Sequence, residues 1–129
     1  MAGEVQSYRD LKVWQKGMDL AADCYEQVKV LPAAERFGLV SQIQRAAVSV
    51  PANIAEGYGR ENRGEFIQFL RIAQGSLKEL ETHLLLAERV YPRITTAQTA
   101  LLSRTEELGK MLRALIRTLQ NKPKPGSKP

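Results

Sequence analysis

Residues 61–92 read ENRGEFIQFLRIAQGSLKELETHLLLAERVYP, and the spacing within them decides the fold. Phe66, Leu70, Ala73, Leu77, Leu80, Leu84 and Ala87 step alternately by four and by three, the repeat of a single helical stripe. Asn62 with Glu65 three residues later has capping-box spacing ahead of that stripe, and Pro92 closes it. The spacing predicts a helix over about 63–91. A helix this long with one apolar stripe is stable only when the stripe is buried, so it demands partner helices.

Upstream lies FGLVSQIQRAAVSVPANIA (37–55), in which Arg45 is the only charge. Val40, Ile43, Ala47, Val50 and Ile54 keep heptad steps and predict a helix over about 33–57. Pro51 inside it predicts a kink, or a division with Ser49 capping the second piece, and leaves the Ala47 carbonyl without its donor. Gly57 and Gly59 are expected to stop it. A further helix over about 8–31 opens at a Ser7–Asp10 capping box and ends before Pro32. Its heptad seam is Leu11, Trp14, Met18, Ala21, Tyr25 and Val28, widened by Val13, Gly17, Leu20 and Cys24. The last helix, about 96–120, opens near Thr95 with Gln98 at the box position, and carries Leu101, Thr105, Leu108, Leu112, Leu115 and Leu119. No strand pattern competes. The expected fold class is all-α: an antiparallel up-down-up-down four-helix bundle over 8–120, with a short arm at 1–7 and a disordered basic tail at 121–129.

The length, 129 residues, suits one domain with a real core. A lone cysteine, Cys24, excludes an internal disulfide and fits a reducing compartment. No uncharged run is long enough for a bilayer, so no membrane partner is expected and the cytoplasm is the default. The net charge of +5 is uneven: residues 1–94 hold 12 basic and 12 acidic side chains, and residues 95–129 hold 7 and 2. Such a basic C-terminal end attracts polyanions, and also complements a helix dipole.

No catalytic constellation is written in the chain. His83 follows Glu79 by one turn, but no second histidine completes a metal pair. Cys24 has no histidine nearby in sequence to activate it. The turn Gly57-Tyr58-Gly59 lacks the strand and the Gly-Lys-Ser/Thr of a phosphate loop. No cofactor or metal is therefore expected. Arg60 and Arg63 flank a helix N-terminus, where unpaired amides favour anions. With Arg9, Lys12, Lys16, Lys110, Arg113 and Arg117 they are the expected phosphate contacts. Asn53 is expected to satisfy backbone groups freed by Pro51, and Glu56 to pair with Arg45 or Arg60. Together with Pro51 and Gly57 these are structural or interface positions. Trp14, Tyr25, Phe66 and Phe69 read as core. The scarcity of charge across 37–55 predicts a dry outer flank covered by another copy of the chain.

Three stretches, YRDLKVWQKGMDL (8–20), ERFGLVSQIQRAAVSVPANIAEGYGR (35–60) and EFIQFLRIAQGSLKELETHLLLAERV (65–90), resemble the four-helix-bundle proteins encoded in intervening sequences of bacterial 23S rRNA genes. The most specific part is Pro51-Ala52-Asn53-Ile54-Ala55-Glu56-Gly57. The resemblance implies a homopentameric barrel of bundles. It extends to the accessory variability (Avd-like) proteins of diversity-generating retroelements, basic pentamers that associate with a reverse transcriptase and nucleic acid. It carries over no catalytic residue. The expected function is a non-enzymatic oligomeric scaffold or adaptor that binds RNA or DNA without base readout. The alternative is a protein–protein module that grips a partner enzyme such as a reverse transcriptase.

Overall fold

In a computed structural model, which describes residues 4–94 and 98–123, the chain is all-helical. Four α-helices, α1 (Lys12–Gln27), α2 (Leu39–Gly59), α3 (Arg63–Val90) and α4 (Gln98–Asn121), form a helical bundle, with no strand among the described residues. Contacts run round the cycle α1–α2–α3–α4, and the α2–α3 seam is the most extensive. Ile43, Val50 and Ile54 of α2, Leu70, Leu77, Leu80 and Leu84 of α3, and Leu112 of α4 are fully buried. Each such side chain stabilises the fold by roughly 1.5–3 kcal/mol relative to exposure. No helix among the described residues is long and apolar enough to cross a membrane.

The expected stripes of α2, α3 and α4 form the core, with Val40, Phe66 and Leu115 packed at its margin. α1 is different. Of its heptad seam only Ala21 and Val28 are buried, while Met18 and Tyr25 are 46% and 45% exposed. The core is met instead by Val13, Gly17, Leu20 and Cys24, the second stripe. Gly17 lies on the line where α1 meets α2, with Pro51 3.5 Å from where its Cβ would stand, an ordinary packing distance. The aromatic side chains follow: Tyr25 is exposed, and Trp14, Phe66 and Phe69 are half-buried rather than core.

Helix boundaries move for identifiable reasons. The expected 8–31 helix becomes a 3-10 turn at Tyr8–Asp10, α1, and a second 3-10 turn at Val28–Val30. The Ser7–Asp10 capping box is present and caps the first turn. α2 begins at Leu39 rather than Ala33, because the Glu35 side chain reaches forward to cap it. Glu35 Oε1 accepts from the Leu39 amide at 3.1 Å, and Oε2 accepts from the Tyr91 hydroxyl at 2.5 Å. A Cβ on Gly38 would stand 2.7 Å from Glu35 Oε1, so a side chain there would make the Glu35 carboxylate shift.

α2 runs through Pro51 undivided, and Ser49 caps no second piece. Asn53 Nδ2 donates to the Ser49 carbonyl at 2.8 Å and to Ser49 Oγ at 2.9 Å, not to the Ala47 carbonyl. Ser49 Oγ in turn meets Ser76 Oγ of α3 at 2.7 Å. Gly57 does not stop the helix, whereas Gly59 is its last residue. Gly57 serves close approach: its Cβ would lie 2.5 Å from Phe69 Cβ. The chain reverses at Glu61, which takes a left-handed φ of 55°. Asn62 then caps α3 by accepting the Glu65 amide at 2.9 Å. The expected opening of the last helix at Thr95, the first three residues of the arm and the tail beyond Pro123 lie outside the described residues.

Candidate nucleic-acid interface

α3 and α4 each carry a glycine in mid-helix, Gly75 and Gly109. A Cβ on Gly75 would meet open space, and one on Gly109 would touch Leu77 at 3.6 Å. The missing side chains leave a groove of about 450 Å³ between the two helices, with Leu77 and Ile116 among its apolar lining. Its polar lining is Arg71, Gln74 and Lys78 from α3 and Arg113, Arg117 and Gln120 from α4. Lys78 pairs with Glu81 at 3.3 Å. Arg71, Arg113 and Arg117 form no ion pair with a described residue. Like charges along one groove repel, and a polyanion laid between them relieves that repulsion.

The eight expected phosphate contacts do not share one surface. Arg113 and Arg117 line the groove, and Lys110 is exposed on the same helix outside it. Arg60 is held within the chain, 3.4 Å from Glu56, 4.0 Å from Glu65, and over the Phe69 ring at 5.1 Å. Arg63 donates to the carbonyls of Lys122 and Pro123 at 2.7 and 3.1 Å, satisfying acceptors at the end of α4. On α1, Lys16 pairs with Glu107 at 3.8 Å and Lys12 is exposed; Arg9 lies over the Tyr8 ring at 5.7 Å. An Arg104–Asp23 pair ties the same α1–α4 seam. Arg71 and Lys78 were not readable as site residues, because Lys78 has Glu79 and Glu81 beside it and Arg71 stands alone within its stretch. The only linear signal was a pair of mid-helix glycines.

Of the expected structural positions, Pro51 and Gly57 are buried at helix crossings and Asn53 joins the Ser49–Ser76 pair. Glu56 pairs with Arg60, and Arg45 is exposed beside Gln42 on the outer side of α2. The outer side of 37–55 is mixed, with polar Gln42 and Arg45 on it and apolar Phe37 and Val48, 86% and 45% exposed. Val48 and Ala52 of α2 join Trp14, Met18, Ala22 and Tyr25 of α1 around an apolar groove of about 470 Å³. Val48 is 45% exposed there. Cys24 is fully buried, and burial pushes its thiol up to about 12, so it stays protonated at neutral pH. Among the described residues no cluster of His, Cys, Asp and Glu could hold a metal ion.

A small all-helical bundle with one basic and one apolar inter-helix groove is the class these features define. The chain belongs to the 23S rRNA-intervening sequence protein family, whose profile matches residues 9–114. It is also similar to a crystal structure from Bacteroides thetaiotaomicron VPI-5482, a protein of unknown function from the S23 ribosomal protein family. That likeness has a TM-score of 0.74 at 27% identity, over 81% of this chain and 95% of that one. No curated protein matches the chain.

Proposed function

We propose that this chain is a non-enzymatic, cytoplasmic adaptor that self-assembles, as a ring of five, and binds RNA or DNA through phosphates without reading bases. Its protomer is an antiparallel up-down-up-down bundle. Residue pairs between helices support that topology, because their numbers fall on one helix as they rise on the next: Gly57 with Phe66, Ser49 with Ser76, Glu35 with Tyr91. The observation that carries the nucleic-acid reading is the set of arginines on α3 and α4, Arg71, Arg113 and Arg117, that form no ion pair with a described residue. The apolar α1–α2 groove supports self-association, since an exposed apolar patch of this kind marks an interaction surface. The resemblance to Avd-like proteins supports the subunit number.

Two measurements test the proposal. Light scattering across a concentration series should give a mass several times that of the 14.4 kDa chain. A monomer at high concentration refutes the assembly. Binding of a labelled oligonucleotide should weaken steeply and linearly in log–log form as salt rises. No binding at low salt refutes the nucleic-acid function.

The α1–α2 groove also favours a second reading, a module that grips a partner enzyme such as a reverse transcriptase. Charge reversal at Arg113 and Arg117 should then leave capture of that enzyme intact. Loss of capture on that reversal refutes this reading.

A further inference from the structure

We infer that the α3–α4 groove is the nucleic-acid site itself, and that it selects a single strand over a duplex. This rests on the phosphate-binding function proposed above and deepens it. Neighbouring helices in a bundle lie roughly 8–10 Å apart, so a furrow between them is narrower than a double helix. A single sugar-phosphate chain fits where a duplex would touch only the rim. The cations are placed for such a chain. Arg113 and Arg117 stand one turn apart on α4, about 6 Å along the axis, which matches neighbouring phosphates of an extended strand. Arg71 faces them from α3, so a strand in the groove is held from both sides.

The lining also limits what is read. None of the ten residues around the groove is aromatic, so the groove offers no aromatic platform for a base. Gln74 and Gln120 supply neutral donors suited to phosphate or ribose oxygens. Contact is therefore with the backbone, and binding is sequence-blind. Gly75 is the opening device, because a side chain there would project into space that is now empty.

The test fills the groove while keeping every charge. Gly75→Leu should weaken binding of a fluorescent single-stranded oligonucleotide by about tenfold, as phosphate contacts are lost. Circular dichroism and light-scattering mass should match the wild type. The wild type should bind the single strand more tightly than a duplex of the same sequence, because the furrow between two packed helices admits one chain and not two. The triple variant Arg71→Gln, Arg113→Gln, Arg117→Gln should lose binding even if Gly75→Leu misfolds. Wild-type binding that Gly75→Leu, still folded, leaves unchanged, or that the triple variant leaves unchanged, overturns the groove and spares the proposed function. Equal affinity for duplex overturns the strand selection. Failure of the wild type to bind any oligonucleotide overturns the proposed function and the inference with it.

Discussion

Two glycines of the same composition do opposite work, and one substitution at each should separate them. Gly57→Ala places a methyl 2.5 Å from Phe69 Cβ, a contact that α3 can relieve only by moving. Overpacking of this kind costs about 1–3 kcal/mol. Gly75→Ala meets nothing within 4 Å and removes a flexible residue from a helix interior. It should stabilise by roughly 0.5–1 kcal/mol. Urea unfolding of the two variants should therefore shift the midpoint in opposite directions.

The Glu35–Tyr91 contact is a second feature at this scale. The Tyr91 hydroxyl first, and the Leu39 amide second, hold the Glu35 carboxyl below its ordinary range. Its contribution to stability is present above the unfolded carboxyl value, about 4.3, and lost as pH falls through the lower folded value. The Tyr91 hydroxyl is held above its ordinary value by the Glu35 carboxylate. Its contribution is present below about 10 and lost as pH rises through the higher folded value. Tyr91→Phe should shrink both dependences, seen as a flatter curve of Tm against pH at the acid and alkaline margins.

Among the elements, α3 was the most legible, because its stripe keeps unbroken steps of four and three from Phe66 to Ala87. Six members of that stripe, Leu70 through Ala87, are buried as spaced. Leu80→Ala should cost about 2–5 kcal/mol in thermal or urea unfolding. α1 was less legible because it carries two adjacent apolar stripes, and periodicity alone does not say which one faces inward. The choice is made by tertiary packing, which no local pattern encodes, and Gly17 sits on the line where α1 meets Pro51. The chain reversal was hidden for a related reason. Glycine usually marks a helix end, yet here it serves packing, and Glu61 takes the left-handed turn. The site divides in the same way. Arg113 and Arg117 stood out through the basic excess of the C-terminal end, whereas Arg71 joins them only once α3 and α4 are side by side.

For the whole molecule, the consequence of α1's rotation is that Met18 and Tyr25 of its heptad seam face out beside α2. Met18→Glu with Val48→Glu should lower the mass seen by light scattering, since both side chains are nearly half exposed. Cooperative unfolding should persist, because neither belongs to the core. The charge prediction belongs here too. Replacing Arg117 alone by glutamine should flatten the slope of log affinity for single strands against log salt by about 0.7.

Cys24 offers a different use. The chain has one thiol, sealed at the centre of the bundle and held protonated. An alkylating reagent can reach it only when α1 lifts away from its neighbours. The rate of modification in native buffer is therefore a stopwatch for that opening. It would slow when assembly or a bound strand clamps the helices together.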